Sequence, residues 1–415
     1  MRVDSDRLWR SLAELGEVGA YDDEATGLRG VCRLALTDAD AAGRRLVRRW
    51  FEEVGLAVRV DRIGNTYGRR AGSDADAGVV MSGSHIDSVP TGGRFDGALG
   101  VLGALEVVRT LADAGTVTRR PIEIAFFTDE EGARFGTDML GSATACGRLS
   151  VEQAWALRDR DGSTVRGELE RIGFLGEAPE RLTPPHAYVE LHIEQGPILE
   201  AAGMDAGIVT GVQAISWFEL TIVGRAAHAG TTPMELRRDA GLAAARINVR
   251  MHEMAASGRY GSGMRVTMGR IDASPNRVNI VPRNVVCTVD LRNPDDDAMA
   301  AAESDLERYY RELERDMPGI RIEARQTART ASVRFAPAVQ SVIEARMQAH
   351  GVRYQRILSG AGHDAQELAA ICPAGMIFVP GKHDGISHNP REFSTQEACA
   401  LGTQLLLETL LDLSR

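Results

Sequence analysis

The chain has 415 residues, 44% of them hydrophobic and 26% charged, with a formal net charge of -10. That length suggests two or three domains with enough apolar surface to bury without staples, and the composition excludes fibrous and disordered classes. An acidic balance without a Lys/Arg-rich stripe argues against nucleic acid or an anionic membrane as the main partner. Cys32, Cys146, Cys287, Cys372 and Cys399 lie far apart, form no C-x-x-C pair and are odd in number, which reads as reduced thiols of a cytosol. Met1 to Ala20 holds four acids and no apolar block of signal-peptide length, and no later run approaches a membrane span. A cytoplasmic location is therefore expected.

In chain order, apolar spacing predicts helices over 8–15 and 39–54, the second capped by Thr37-Asp38. Short β-rich runs at 57–60, 79–83 and 122–128 alternate with helix-like stretches such as 100–114, which implies an α/β sheet covered on both faces. Residues 150–183 read as polar and irregular, and 187–192 returns as a strand. From Trp217 the pattern becomes strand 217–223, helix 238–256, strands 265–271 and 284–292, helix 297–315 and strand 320–326. That β-α-β-β-α-β order is the split arrangement of a compact ferredoxin-like domain. A helix at 338–350, a buried strand at 376–379 and a closing helix at 394–413 restore the α/β alternation of the first half. The expected organisation is one discontinuous catalytic domain, 1–213 and 329–415, with a second domain inserted at 214–328.

Chemistry-bearing residues fall at predicted strand ends, where open α/β sheets place their sites. His85 and Asp87 follow the strand 79–83, and in such a His-x-Asp pair the imidazole ligates while the carboxylate orients it. Alone, the pair reads first as a surface turn. Asp96 sits in a glycine-rich turn that opens a helix, where it is either a bridging metal ligand or an N-cap. The glycine spacing fits neither G-x-x-x-x-G-K-[ST] nor G-x-G-x-x-G. The run Asp129-Glu130-Glu131 follows a mostly apolar strand, and adjacent carboxylates there are costly unless cations neutralise them. His192 ends the strand 187–192, and His388 lies past the strand 376–379. Mixed imidazole and carboxylate ligands suit zinc, manganese, cobalt or nickel.

The segments Ser82-Gly83-Ser84-His85-Ile86-Asp87, Gly93 to Gly97, Thr128-Asp129-Glu130-Glu131-Gly132, Glu190-Leu191-His192-Ile193-Glu194-Gln195-Gly196, His228-Ala229-Gly230-Thr231-Thr232-Pro233 and Gly385-Ile386-Ser387-His388-Asn389-Pro390 resemble the amidase, hydantoinase/carbamoylase family. That family belongs to the dinuclear-metal aminoacylase and carboxypeptidase clan, and the resemblance runs over nearly the whole chain. It implies a mixed-sheet metallopeptidase-like catalytic domain with an inserted lid and dimerisation domain. It also implies two divalent ions per chain, zinc first and manganese, cobalt or nickel as alternatives. His85, Asp96 and His192 would hold one ion and Asp96, Glu131 and His388 the other, with Asp96 bridging. The clan's peptidases usually carry an acid where this chain has His192, so a generic peptidase is disfavoured. Glu130 would be the general base and Asp87 would steer His85. Gln195, His228, Asn279 and Arg292, with Gly360 and Ala361 in the Ser359 to Gly362 loop, match family positions that contact substrate. The implied activity is hydrolysis of a small anionic N-carbamoyl-L-amino acid to amino acid, ammonia and carbon dioxide. Allantoate, N-carbamoyl-β-alanine, peptidase or aminoacylase chemistry and a non-catalytic metal-stabilised binding protein are the alternatives. A homodimer through the inserted domain is expected.

Overall fold

The computed structural model describes residues 1–415 and divides into two compact units, Met1–Gly211 with Arg334–Arg415, and Val212–Val333. The first unit is built on a nine-stranded mixed sheet. Its centre is a parallel set in the spatial order Ala374–Val379, Ala187–Ile193, Val80–His85 and Ile122–Phe127. All four are buried along their whole length, as strands covered on both faces must be. Antiparallel strands flank them: Ala206–Val212 pairs with Ala374–Val379, and Thr66–Arg70 followed by Ala57–Val60 extends the other side. Because the four parallel strands are neighbours, their carboxyl ends lie side by side.

The helix Ala98–Asp113 is apolar nearly all round and packs against Val80–His85 and the closing helix Gln396–Leu413. Leu99, Leu102, Leu105, Ile124, Phe126, Leu191, Ile377, Leu406 and Leu410 share one core cluster there. Hydrophobicity all round a helix is the mark of burial on every side. The stretch expected to be irregular contains two helices, Val151–Ala156 and Val165–Ile172. Each is too short to display a helical period, and Ala154, Val165 and Leu169 anchor them to a second cluster with Leu140 and Phe135. The legible signal was the cap: Ser150 and Gln153 form a reciprocal capping box.

One fully buried ion pair holds the end of Ile122–Phe127. Arg44 and Asp40, both without exposed side-chain surface, meet at 2.6 Å. The guanidinium also donates to the Gly64 carbonyl and the Thr128 hydroxyl. Removing one partner of such a pair strands the other charge, so Asp40→Ala should cost about 3–5 kcal/mol of stability. Urea unfolding at fixed metal concentration measures this, and a loss under about 1 kcal/mol would mean that Arg44 is not dependent on Asp40.

The second unit is an antiparallel sheet in the order Arg265–Thr267, Asn284–Asn293, Ala214–Val223 and Arg321–Thr330, with Ile271–Ser274 also pairing on Asn284–Asn293. The strand expected at 265–271 is thus two short strands parted at 268–270. Burial alternates strictly along Asn284–Asn293, so one face of the sheet is covered. Val285, Cys287, Val289 and Leu291 pack there with Ala243, Ile247 and Met251 of the helix Ala240–Ala256, and with Met299, Leu306 and Leu313 of the helix Asp296–Asp316. No helix of the chain is long and apolar enough to cross a membrane.

Candidate metal centre

The strand Val80–His85 ends on His85, and Ala187–Ile193 carries His192 next to its end. His85 Nδ1 lies 3.0 Å from the Asp87 carbonyl and His192 Nδ1 lies 2.9 Å from the Ile193 carbonyl. A carbonyl only accepts, so each Nδ1 carries a proton and each Nε2 is the atom that could ligate. Asp96 Oδ1 is 3.3 Å from His192 Nε2 and 3.7 Å from His85 Nε2. Its other oxygen, Oδ2, is 3.4 Å from His388 Nε2, which in turn lies 3.3 Å from Glu131 Oε2. Two donors about 2.1 Å from one tetrahedral ion stand about 3.4 Å apart, so these separations are those of ligands sharing an ion. The five residues form two groups, His85–Asp96–His192 and Asp96–Glu131–His388. The two oxygens of Asp96 face different groups, which is what a bridging carboxylate requires.

The N-cap reading of Asp96 fails on the backbone. Gly97 caps the helix Ala98–Asp113 at φ 63°, with no side-chain cap bond. A Cβ at position 97 would overlap the His85 imidazole, so glycine serves both the turn and the ligand. The Asp96 carboxylate is instead oriented by the Gln195 amide at 2.8 Å and the Ser387 hydroxyl at 3.0 Å. The Gln195 amide thus rests on Asp96, a contact that the sequence did not suggest, while its Oε1 is buried without a hydrogen-bond partner.

Asp87 also differs from expectation. Its carboxylate, expected to steer His85, stands 3.9 Å from Nδ1, and it is the Asp87 carbonyl that fixes the ring. The carboxylate accepts the backbone N–H groups of Glu130 and Glu131, both at 3.3 Å. It organises the turn that carries Glu130 and Glu131, because two adjacent N–H groups pointing the same way form a ready anion seat.

The electrostatics call for positive charge. Burial raises the Asp87 carboxyl to about 6 and holds those of Asp129 and Glu130 well above the ordinary carboxylate range. Asp96 and Glu131 push the His388 imidazole up to about 10. Both carboxylate oxygens of Asp129 and Oε1 of Glu131 are buried without hydrogen-bond partners. Unpaired buried acids are costly, and divalent cations on an N/O donor set relieve them. Asp129, Gln195 and His388 each adopt a left-handed φ of 55° to 56°. Non-glycine residues in that region carry strain, which functional sites retain.

Sequence reasoning missed three buried neighbours. His363 stacks edge-on against His192 at 4.6 Å between ring centres and meets the Ser359 hydroxyl at 2.8 Å. Burial drives its pKa well below 6.5, so it is neutral. The signal was the run Ser359 to His363, read one residue short. The same Ser359 hydroxyl contacts the amide and carbonyl of Ala361, which shapes the loop that carries Gly360 and Ala361. Glu190 is held by Ser84, Tyr188 and the Ala365 amide. Glu392 accepts the backbone N–H of Asp96.

Three candidate residues belong to the second unit. His228 is exposed, in a two-residue strand that pairs with Ile280–Val281. Its Nδ1 accepts the N–H groups of Gly230 at 3.0 Å and Thr231 at 3.3 Å. The proton is therefore on Nε2, which is left as an outward donor. Asn279 is brought beside it, its carbonyl accepting the Ala229 N–H at 3.0 Å. Arg292 faces the partly open side of the sheet, paired with Asp290 at 3.0 Å.

Comparison with known proteins places the whole chain. The model of peptidase family M20/M25/M40 matches residues 81–412. The chain is 41% identical over 413 residues to an N-carbamoyl-L-amino-acid amidohydrolase of Rhizobium meliloti, covering 99% of this chain and 97% of that one. It is 32% identical over 398 residues to an allantoate amidohydrolase of Bacillus subtilis, covering 95% of each. A crystal structure of a hydantoinase/carbamoylase family amidase from Burkholderia multivorans superposes with a TM-score of 0.90 at 43% identity, over 100% of this chain and 98% of that one. Similarity of this extent, together with the ligand geometry, makes the chain a member of peptidase family M20/M25/M40, in its hydantoinase/carbamoylase amidase branch.

Proposed function

We propose that the protein hydrolyses the ureido C–N bond of N-carbamoyl-L-amino acids, with two divalent ions on His85, Asp96, His192, Glu131 and His388. The observation that carries this is the placement of Asp96, with one oxygen toward each ligand group and the Glu130 carboxylate 3.5 Å from His85 Nε2. Divalent ions held by those residues would supply Lewis-acid polarisation of a carbonyl and a lowered pKa for bound water. Glu130 takes the water's proton as attack proceeds and returns it to the amino nitrogen of the substrate as the C–N bond breaks. The carbamic acid released breaks down to ammonia and carbon dioxide, so one water is consumed overall. Buried as it is, the Glu130 carboxyl has a raised proton affinity, which suits a group that must both accept and return a proton. His228 donates from Nε2 to the oxyanion of the addition step. Arg292 and Asn279 receive the substrate carboxylate, which requires Arg292 to share or leave Asp290. Gly360 and Ala361 complete the substrate surface.

The deciding experiment is turnover of N-carbamoyl-L-methionine, allantoate and N-carbamoyl-β-alanine by apoprotein reloaded with zinc or manganese. Fastest hydrolysis of the carbamoyl amino acid is expected, since the carbamoyl-amino-acid amidohydrolase of Rhizobium meliloti is more similar to this chain than the allantoate amidohydrolase of Bacillus subtilis. Preference for allantoate would replace the substrate assignment while leaving the metal chemistry in place.

The second unit is proposed as the lid and dimer contact. Its helix Ala240–Ala256 buries Ala243, Ala244, Ile247 and Met251 against the sheet, yet leaves Leu242 and Val249 exposed. Two large apolar residues one helical face apart from the core stripe suit a second copy of the chain. Sedimentation should show a dimer, and a fully active monomer would remove this assignment. Mixing a His228→Ala chain with a Glu130→Gln chain, each strongly impaired alone, then tests whether His228 serves its partner's site. Recovery of activity in the mixture is the expected result for action across the dimer, and none is expected for action within one chain.

A further inference from the structure

We propose that Glu392 is a positioning residue that ties the Asp96 turn to the His388 loop and so sets the Asp96–Glu131–His388 ion position. The proposal rests on the two-ion reading above. Glu392 is 6% exposed, far from where a glutamate ordinarily sits. Its Oε1 accepts the backbone N–H of Phe95 at 3.0 Å and that of Asp96 at 3.1 Å. Its Oε2 accepts the Ser387 hydroxyl at 2.7 Å, and the same hydroxyl lies 3.0 Å from Asp96 Oδ2. One carboxylate therefore grips the backbone of the bridging ligand with one oxygen and the residue preceding His388 with the other. The Glu392 N–H returns to the Asn389 carbonyl at 2.9 Å, closing the loop on itself. A Cβ at position 93 would fall on this carboxylate, so the glycine of the Gly93 to Gly97 turn is what leaves it room.

The two ion positions differ in how their ligands are held, which is why this tether bears on one more than the other. His85 and His192 lie on buried central strands, so their backbone is fixed by the sheet. His388 lies in a loop, at φ 56°, with 49% of its side chain exposed. Among the bonds that fix that loop near His388 are the Thr91 hydroxyl on the His388 carbonyl, the Ser387–Glu392 contact, the Asn389–Glu392 return and the Arg391 N–H on Asn389 Oδ1. A ligand without a sheet beneath it depends on such outer partners, whose loss typically costs about 10–100-fold in metal affinity.

The test is calorimetric titration of zinc into apoprotein of the wild type, Glu392→Ala, Glu392→Gln and Ser387→Ala, with melting temperatures of the apoproteins measured alongside. The wild type should take two ions. Glu392→Ala should keep one ion at wild-type affinity and bind the second about 10–100-fold more weakly, with kcat recovering as zinc is raised. Glu392→Gln keeps an oxygen for the two N–H groups and an amide N–H for Ser387, so it should restore second-ion affinity to within a few-fold. Two ions at unchanged affinity in a folded Glu392→Ala would overturn the tether, as would equal weakening of both. If Glu392→Ala does not fold, Ser387→Ala cuts the same link from the other side, and unchanged second-ion affinity there overturns the proposal. A wild type that binds no zinc, manganese, cobalt or nickel sinks the two-ion reading itself, which is a different failure.

Discussion

Glu130→Gln is expected to bind two ions as the wild type does and to turn over at least about 100-fold more slowly, the usual cost of losing a general base. The variant keeps the backbone of the turn in place, and His85 is the neighbour that feels the loss of charge. The Glu130 backbone N–H is seated on Asp87 and its carbonyl accepts from Met139 at 2.7 Å, and an amide of the same shape leaves both bonds in place. The pH dependence gives an independent readout. Glu130 must be ionised to accept a proton, so wild-type kcat/KM falls as pH drops through its pKa. Burial first, and then the nearby acids Asp364, Glu131 and Asp96, raise that pKa, while His85 lowers it. The residual rate of the glutamine variant should lose this acid limb. Near-normal turnover would transfer the role to a neighbour, and Asp129 is the first to test, since both its oxygens are buried without partners.

His85→Ala should reduce metal content below two ions per chain and abolish turnover, and chelation of the wild type should do the same reversibly. The ligand set explains the size of the effect. Without His85, Oδ1 of Asp96 faces only His192, while Glu130 keeps its buried charge with its largest stabilising partner gone. Metal loss should also destabilise the fold, because Asp87, Asp96, Asp129 and Glu130 are buried within one site. At a free ion concentration of 100 times Kd, binding to the native state alone stabilises by about 2.7 kcal/mol. Elemental analysis and thermal unfolding with and without chelator measure both effects. A fully active preparation with no metal would end the two-ion reading, and an unchanged melting temperature on chelation would mean that the acids are compensated without cations.

The sequence by itself determined a great deal about this protein. Hydrophobic runs and their spacing located the four parallel strands, because a strand buried on both faces has no alternative to continuous apolar residues. The same regularity marked the change of pattern after Trp217. His85, Asp96, His192, His388 and the Asp129 to Glu131 run stood out as candidates because they come after such strands, where packing alone gives no reason for a charged or ligating side chain, and the family resemblance singled out Glu131 among the acids. Tertiary structure decided what joins them. Residues 92–97 and 385–392 are irregular loops, and no local pattern tells which carbonyl or carboxylate will meet which N–H across about 300 positions of chain. That is why the sequence points Asp87 at His85 when its carboxylate accepts the N–H groups of Glu130 and Glu131, and gives no sign that the Gln195 amide rests on Asp96. Glu392 was silent for the same reason, since Asn389 to Phe393 reads as an ordinary polar turn. Short helices at Val151–Ala156 and Val165–Ile172 escaped because one or two apolar anchors set no period. Spacing along the chain records which residues are buried or ligating, whereas the partners of a buried polar group are fixed only when distant loops are packed together.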